Sequence, residues 1–338
     1  MHSGASTPPP SLYHENSIAD ARVLVTGGAG FIGSNIVGYL LKNGAAHVRV
    51  LDNLSNGFER NLEPFRQHPN FEFIKGDITK SEDCQRACLG MTHLTHQAAL
   101  GSVPRSIKNP LATSDANTTG YLNMMIAARD AGIRRIVYAS SSSVYGDSQA
   151  SPKTEEAIGK PLSPYAVSKL TNELYAGVFS MHYHMEMIGL RYFNVFGPNQ
   201  DPGGPYAAAI PLFMKALLTN QEAVIYGDGE QTRDFTFVEN AVQANIRALF
   251  TDNNAAFNRV YNVAVGESIS VNRLYDTLAS FSGSGLKPKY APERFGDIRN
   301  SLADISMARN LLGYNPVYRL REGLEVTWSW FKNTFYND

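Results

Sequence analysis

The segment VLVTGGAGFIG, residues 23–33, limits the possible folds of this chain more than any other stretch. An apolar, β-rich run leads into Gly27, Gly30 and Gly33, and a helix-like run follows them. Glycines at this spacing allow a tight turn, a close approach of the backbone to a pyrophosphate and close packing of the helix on a sheet. The N terminus of such a helix also offers unpaired N–H groups to phosphate. The segment therefore predicts a dinucleotide-binding βα unit.

Strand-like and helix-like runs alternate through the first half of the chain. The runs typical of strands are RVLVTGG, HVRVLDN, FEFIKGD, LTHQAA and RIVYASS. This alternation predicts an α/β fold, with a Rossmann-type doubly wound parallel sheet that helices cover on both faces. After about residue 194 the pattern loosens and becomes rich in Gly and Pro. We expect a smaller α/β substrate-binding lobe at this C-terminal end.

The sequence divides into three parts. A polar stretch with three prolines comes first, and it is predicted to be a disordered or loosely docked extension. The two remaining parts are interleaved, because one more strand-like run, VYNVAV, follows the first segment of the lobe. The expected bounds are residues 1–20 for the extension, 21–193 plus about 235–263 for the dinucleotide-binding domain, and 194–234 plus 264–338 for the lobe.

Composition narrows the partners and the compartment. The net charge of −1 gives no basic field that would favour nucleic acid or a membrane surface. The polar stretch at residues 1–20 has no apolar run long enough for a signal peptide or a membrane span. The two cysteines, Cys84 and Cys88, are too few for a disulfide scaffold or a zinc site. We therefore expect reduced thiols, no metal and a cytoplasmic location.

Asp52 points to the particular dinucleotide. It ends the second predicted strand, 19 residues after Gly33. A carboxylate there accepts hydrogen bonds from the ribose hydroxyls and repels a 2′-phosphate, which favours NAD over NADP. Small residues and short polar side chains at the ends of the next strands would let the cofactor lie close. The predicted cofactor-binding residues are Gly27, Gly30, Phe31, Ile32, Gly33, Asp52, Asn53, Ser55, Asn56, Gly57, Asp77, Ile78, Gln97, Ala98, Ala99, Asn117, Tyr165, Lys169 and Tyr192.

The segment SPYAVSKL supplies a candidate catalytic pair. Tyr165 and Lys169 are four residues apart and share one face of a predicted helix. A lysine ammonium and the positive nicotinamide ring would both favour the phenolate and lower the pKa of Tyr165. Tyr165 could then take a proton from a substrate hydroxyl.

Four consecutive serines precede this helix, in the segment YASSSSVYGD. They follow a predicted strand, so they lie at the carboxyl edge of the sheet, where open α/β sheets bind ligands. Ser141 lies 24 residues before Tyr165 and is expected to hold the reacting oxygen. Ser140 is expected to end the strand and bond to the backbone.

These motifs resemble those of the extended short-chain dehydrogenase/reductases. The chain is most similar to the nucleotide-sugar 4-epimerases, and within them to bacterial UDP-N-acetylglucosamine 4-epimerases. The resemblance begins at about Arg22, and its motifs fall in the family's order. They are TGGAGFIG, SSSSVYG, SPYAVSK, LRYFNVFGP, GDGEQTRDF and RFGDIRNSLADIS.

The resemblance implies roles for further residues. Ser141 matches the family's catalytic serine or threonine, and Tyr192 would lie near the nicotinamide. Arg233 and Arg294 would bind the diphosphate, and Asp297 would hold the uridine ribose. By this resemblance the substrate-binding residues are Gly101, Ser102, Ser141, Ser142, Ser143, Tyr165, Asn194, Ala208, Tyr226, Arg233, Arg294, Asp297 and Ser301.

The resemblance also separates the possible reactions. The related 4,6-dehydratases carry acidic residues where this chain has SSSSVYG, and no carboxylate occurs there. This favours reversible oxidation at carbon 4 of a UDP-sugar, followed by return of the hydride to the opposite face. In this family, a bulky aromatic residue at the position of Ser301 shuts out the 2-acetamido group of the sugar, whereas a serine leaves room for it. Gly101 replaces a lysine of the glucose-type enzymes.

Three alternatives stay open at this level. UDP-glucose/galactose and UDP-uronates are the competing substrates for UDP-N-acetylglucosamine and UDP-N-acetylgalactosamine. A non-catalytic NAD-binding module is the competing class, although it should have lost Tyr165, Lys169 or Ser141. The resemblance further implies a homodimer built on a four-helix bundle, from the helices that contain Tyr121–Ala131 and Tyr165–Phe179.

Overall fold

The computed structural model describes residues 12–203, 208–283, 285–293 and 299–336. A seven-stranded sheet forms its centre, and every pairing within that sheet is parallel. The strand order is β11-β6-β5-β4-β1-β2-β3. The seven strands are β1 (Arg22–Thr26), β2 (His47–Asp52), β3 (Phe71–Lys75), β4 (His93–His96), β5 (Arg135–Ser141), β6 (Glu186–Tyr192) and β11 (Arg259–Val263). The prediction of a Rossmann-type doubly wound sheet is confirmed.

Six short strands form pairs outside the main sheet. They are β7 (Val195–Phe196), β8 (Val224–Tyr226), β9 (Thr232–Arg233), β10 (Thr236–Phe237), β12 (Ile269–Ser270) and β13 (Lys289–Ala291). The pairs are β7 with β10, β8 with β13, and β9 with β12.

The described helices are α1 (Phe31–Lys42), α2 (Ser81–Cys88), α3 (Val103–Lys108), α4 (Pro110–Ser114), α5 (Gly120–Asp130), α6 (Pro164–Tyr183), α7 (Ala209–Leu218), α8 (Val238–Phe250), α9 (Val271–Ser282), α10 (Ser306–Leu312) and α11 (Leu320–Phe335). In the part of the chain that the structure describes, no helix combines the length and the apolar character that crossing a membrane requires.

The alternation of side chains along β1 shows how the sheet is covered on both faces. Val23 and Val25 pack with α1 and α8, whereas Leu24 packs with α2, α5 and α6. Successive residues of a strand point to opposite faces, so a continuous apolar run requires a helical layer on each side. Both cysteines lie on α2, where they are free, buried thiols.

A third apolar cluster builds the second lobe. Side chains of α7, α9 and α11 pack together there with β7, β8 and β10. The helix α8 and the strand β11 return to the main sheet, where β11 pairs with β6. We retain the interleaved division of the chain as a proposal, with one difference. Ala308 and Leu312 of α10 are buried in the core under the main sheet rather than in the lobe.

The described part of the N-terminal extension, residues 12–20, is not loosely docked. Tyr13 is almost fully buried, and its ring stacks on Tyr39 of α1 with centroids 5.1 Å apart. The backbone N–H of Tyr13 also donates to the Tyr39 hydroxyl at 2.8 Å, and Ile18 is buried in the same core. The expectation rested on polarity and prolines, and it overlooked two apolar side chains that anchor the segment.

Candidate active site

A cleft of about 370 Å³ opens at the carboxyl ends of the central strands. It lies where the strand order reverses, between β1 and β4, which is the ligand-binding position of open α/β sheets. Most of the predicted cofactor-binding residues line it. They are Gly27, Gly30, Phe31, Ile32, Gly33, Asp52, Asn53, Ser55, Asn56, Asp77, Ile78, Gln97, Ala98, Ala99, Tyr165, Lys169 and Tyr192, and Gly101 joins them.

The glycine turn after β1 has no space for side chains. Gly27 has φ +69°, and a Cβ there would lie 2.7 Å from the backbone N of Ala98. A Cβ on Gly33 would lie 2.2 Å from the carbonyl oxygen of Gly27. No side chain caps the N terminus of α1 at Gly30, so its first N–H groups face the cleft. This arrangement fits a pyrophosphate, which takes the place of a capping residue.

Asp52 lies in the cleft at the end of β2, but its carboxylate also has a structural task. It accepts hydrogen bonds from the N–H groups of Ala29 at 2.9 Å and of Leu54 at 2.8 Å. Burial raises the pKa of Asp52, and the two N–H groups lower it. Each oxygen keeps another lone pair that can accept from a ribose hydroxyl.

The candidate catalytic residues meet at the floor of the cleft. The helix α6 begins where Ser163 accepts a hydrogen bond from the N–H of Ala166 at 3.1 Å, and Pro164 occupies its first turn. Lys169 is 2% exposed, and its Nζ donates to the carbonyl oxygen of Ala139 at 2.8 Å. The Ser141 hydroxyl lies close enough to the Tyr165 phenol to lower its pKa, so the three predicted residues are neighbours.

Burial dominates the electrostatics of this trio. It lowers the pKa of Lys169 to about 8 and raises the pKa of Tyr165, while the Ser141 hydrogen bond lowers the pKa of Tyr165. The sequence argument expected the Tyr165 pKa to fall below its ordinary value. In the protein alone the cost of desolvating a phenolate is larger. The positive nicotinamide ring, which was also expected to lower this pKa, is part of the cofactor and not of the chain.

A buried polar network supports the wall of the cleft, and sequence reasoning missed two of its members. The Asn245 side chain donates to the Tyr192 hydroxyl at 2.7 Å and accepts from Gln97 at 3.0 Å. The Tyr192 hydroxyl also contacts Gln97 Oε1 at 3.0 Å, and Thr95 bonds to both Gln97 and Asn245. An amide on the apolar face of the helix α8 was the signal that could have revealed Asn245.

A second cavity of about 250 Å³ lies in the smaller lobe. Its lining includes four predicted substrate-binding residues, Asn194, Ala208, Tyr226 and Arg233. The Asn194 side chain donates to the carbonyl oxygen of Asp234 at 3.0 Å, so this residue also fixes the local backbone. Ser301 lies beside this region and is 7% exposed, with its N–H donating to the carbonyl oxygen of Thr232 at 3.2 Å.

Several predicted residues do not line either cavity. The side chain of Asn117 is buried and joins the backbone of Leu100 to Ser168 of α6. Ser102 caps α3, and a Cβ on Gly57 would meet Ala29 at 2.9 Å. Ser142 and Ser143 form the turn after β5, where the buried Ser143 hydroxyl has no hydrogen-bond partner among the described residues. Arg294 and Asp297 lie outside the described residues.

Ser140 differs from its expected role as a backbone cap of β5. Its hydroxyl donates to the Glu173 carboxylate on α6. The run of four serines does not reveal this, because the partner is 33 residues away in the chain.

A parallel sheet with an uncapped helix at its switch point, a glycine turn and a Tyr–Lys helix defines a Rossmann-type, dinucleotide-dependent enzyme. The family model described as "NAD dependent epimerase/dehydratase family" matches residues 23–264. The chain belongs to this family, and its cofactor is NAD.

Similar proteins act on different nucleotide sugars. A UDP-glucose 4-epimerase of Mycolicibacterium smegmatis is 38% identical, covering 92% of this chain and 99% of its own. The structure of a UDP-N-acetylglucosamine 4-epimerase from Methanobrevibacter ruminantium, in complex with UDP-N-acetylmuramic acid, is 41% identical. Its TM-score is 0.88, and the match covers 93% of this chain and 99% of that one. A UDP-glucuronic acid 4-epimerase structure from Bacillus cereus is 31% identical with a TM-score of 0.86, covering 93% and 100%.

Replacing Gly33 tests the cofactor site. We expect Gly33→Ala to bind NAD at least about tenfold more weakly, because its methyl group overlaps the Gly27 carbonyl oxygen. Gly177→Ala is the matched control, a helical glycine whose Cβ would meet nothing within 4 Å. Nucleotide released from each purified protein is quantified by chromatography. A folded Gly33→Ala protein with the wild-type NAD content would contradict the assignment.

Proposed function

We propose that this protein is a UDP-sugar 4-epimerase that interconverts UDP-N-acetylglucosamine and UDP-N-acetylgalactosamine. The observation that carries the proposal is that Tyr165 and Lys169 line the NAD cleft and that Ser141 lies next to the Tyr165 phenol. No carboxylate occurs in the serine segment at residues 139–146. Elimination of water needs an acid at that place, whereas epimerisation does not.

Three side chains of the candidate site have separate roles in the reaction. Tyr165 accepts the proton of the 4-hydroxyl group, and Ser141 hydrogen-bonds the same oxygen and fixes its position. The Lys169 ammonium lies over the Tyr165 ring, with Nζ 6.0 Å from the ring centroid, and favours the phenolate. Bound NAD supplies the hydride acceptor and returns the hydride. Once the 4-keto sugar has turned over, so that the hydride would reach the opposite face of carbon 4, Tyr165 returns the proton to the 4-oxygen.

The residues of the smaller lobe are suited to hold the UDP while the sugar turns. Tyr226 offers an aromatic face for the uridine, and Arg233 offers a planar cation for the diphosphate. Asn194 lines the same cavity. Arg294 and Asp297 keep their proposed diphosphate and ribose contacts.

The size of the side chain at position 301 supports the acetylated substrates. Ser301 is small and buried, and a serine takes up less volume than the aromatic ring that excludes the 2-acetamido group in related enzymes. Gly101 lines the cleft and adds no side chain to it. UDP-glucose/galactose and UDP-uronates remain the competing substrates, and product analysis on a panel of these nucleotide sugars distinguishes them. The presence of Tyr165, Lys169 and Ser141 argues against a non-catalytic NAD-binding module.

Removing the phenol hydroxyl tests the reaction. We expect Tyr165→Phe to lower turnover of UDP-N-acetylglucosamine at least about 100-fold, because the general base is lost. Tyr175→Phe, on the same helix, should keep wild-type turnover. Coupled assay or chromatography of the products measures both rates. Near-normal turnover by Tyr165→Phe would refute the catalytic assignment.

Enlarging residue 301 tests the substrate. In Ser301→Tyr, turnover of UDP-N-acetylglucosamine should fall at least about tenfold relative to UDP-galactose, because the aromatic ring displaces the 2-acetamido group. Retained turnover of UDP-galactose in the same variant shows that it is folded. Equal loss on both substrates, or a wild-type preference for UDP-galactose, would count against the acetylated substrate.

We also propose that the protein forms a homodimer through α5 and α6. Exposed apolar side chains follow one stripe of α6, namely Val167, Leu174, Val178 and Met181, and Ile126 of α5 is exposed as well. Such a continuous apolar surface is typical of an interface. The pairing of these two helices with those of a second copy would form a four-helix bundle.

A charge in the stripe tests the dimer. Leu174→Glu should weaken association at least about 30-fold, because it buries a carboxylate against its own copy. Leu12→Glu, at a leucine that is 58% exposed against 65% for Leu174 and lies outside the stripe, should not change the association. Sedimentation equilibrium measures both, and a monomeric wild-type protein would overturn the proposal.

A further inference from the structure

A buried ion pair lies directly behind the candidate catalytic residues. Glu173 follows Tyr165 by eight residues and Lys169 by four, so all three lie on one face of α6. The side chains of Glu173 and Arg191 are 7% and 4% exposed. Arg191 donates from Nε to one Glu173 oxygen at 2.9 Å and from Nη2 to the other at 2.8 Å. A bidentate pair of this kind is strong and geometrically specific.

The Glu173 carboxylate connects three elements that carry predicted site residues. Ser140 of β5 and Arg191 of β6 lie opposite each other in the sheet register, and both donate to it. The next residues of the two strands are Ser141 and Tyr192, which are also register partners. A single side chain on α6 therefore fixes the ends of both strands, one residue before Ser141 and Tyr192.

The Nη1 group of Arg191 is also bonded within the protein. Its Nη1 donates to the Tyr145 hydroxyl at 3.1 Å and to the carbonyl oxygen of Glu155 at 2.8 Å. The Tyr145 hydroxyl in turn donates to Asn262 of β11 at 2.6 Å. The cluster is thus closed, and it acts by holding other groups rather than by binding a ligand.

The charge of Glu173 also acts on Lys169. Burial lowers the pKa of Lys169 to about 8, and the nearby negative charge of Glu173 raises it. Arg191 offsets part of this effect, because it bears the opposite charge. Without Glu173, the ammonium form of Lys169 would lose its stabilising neighbour.

Four other titratable groups that face the cluster, including Tyr145, are uncharged near neutral pH, and a fifth, the Glu155 carboxyl group that interacts with Arg191, is retained in every variant. Burial lowers the pKa of His96 on β4 to about 3. It raises the pKa of Tyr121 on α5 and of Tyr138 on β5 well above the ordinary value. A change in the titration of Lys169 on removing Glu173 is therefore attributable to the removed carboxylate.

We propose that Glu173 is a positioning residue for the epimerisation, whose carboxylate fixes the ends of β5 and β6 against α6 and keeps Lys169 in its ammonium form. This inference rests on the proposed function, because it gives the charge of Lys169 a part in the reaction. It adds a residue that touches neither the sugar nor the cofactor.

The pH profile of kcat in Glu173→Gln separates this role from simple support of the fold. We expect the alkaline limb of the profile to move about one pH unit toward acid, since the uncompensated burial of Lys169 makes it lose its proton earlier. Glu186→Gln is the matched control. It breaks an ion pair with Arg135 that joins the same two strands at their opposite ends, with Nε and Oε2 2.9 Å apart. Its alkaline limb should not move.

Two further variants keep the test decisive. Glu173→Asp retains the charge and should restore the wild-type limb even where kcat stays lower. The double variant Glu173→Gln/Arg191→Met removes both charges, so it avoids leaving a buried guanidinium unpaired if the single variant does not fold. It should show an acid shift that is smaller than that of Glu173→Gln, because the positive charge of Arg191 is removed as well. A kcat that falls equally at every pH, or an unmoved limb, would overturn the proposal.

A measurement without turnover separates this inference from the proposed reaction. In NAD-loaded protein carrying ε-¹³C-lysine, the signal that disappears in Lys169→Met reports the titration of Lys169. The titration should lie about one pH unit lower in Glu173→Gln than in wild type. If wild type converts no UDP-sugar but the shift is observed, the proposed function fails and the link between Glu173 and Lys169 stands. An unchanged titration removes that link, whatever the activity.

Discussion

The close contact between the turn after β1 and the start of α1 is the constraint on which the rest of the site depends. With no Cβ at Gly27 or Gly33, the helix approaches the sheet until backbone meets backbone. This contact directs the free N–H groups of α1 into the cleft, and Asp52 ties the same turn to the end of β2. The position of the cofactor site thus depends on the lack of a side chain at Gly27 and Gly33.

Around this contact the protein combines two kinds of rigidity. The central sheet is held by apolar side chains on both faces, which set the distance between its layers but not the direction of any polar group. The polar groups of the site are oriented by buried hydrogen bonds. Asn245 orients Tyr192 and Gln97, and Ala139 orients Lys169. Buried polar groups that are fully satisfied hold one geometry, because any other would leave a donor or acceptor unpaired.

Sequence reasoning worked best where function depends on local spacing. The glycines of the first turn, the carboxylate of Asp52 and the Tyr165–Lys169 pair were predicted from positions a few residues apart, and the structure places all of them in one cleft. It failed for Tyr13, whose burial depends on a ring of α1 that lies 26 residues away. It also missed Asn245, which is 150 residues from Thr95.

The serine run shows what the sequence alone predicts about the site and what only the tertiary structure decides. Strand periodicity and the following helix were enough to place YASSSSVYGD at the carboxyl edge of a parallel sheet, because these patterns are local. Only the tertiary structure made the four serines unequal. Ser140 meets Glu173, Ser141 meets Tyr165, and the Ser143 hydroxyl is buried without a partner among the described residues. The physical reason is that the partner of a buried hydroxyl is set by how helices and strands pack, and packing joins residues that are far apart in the chain.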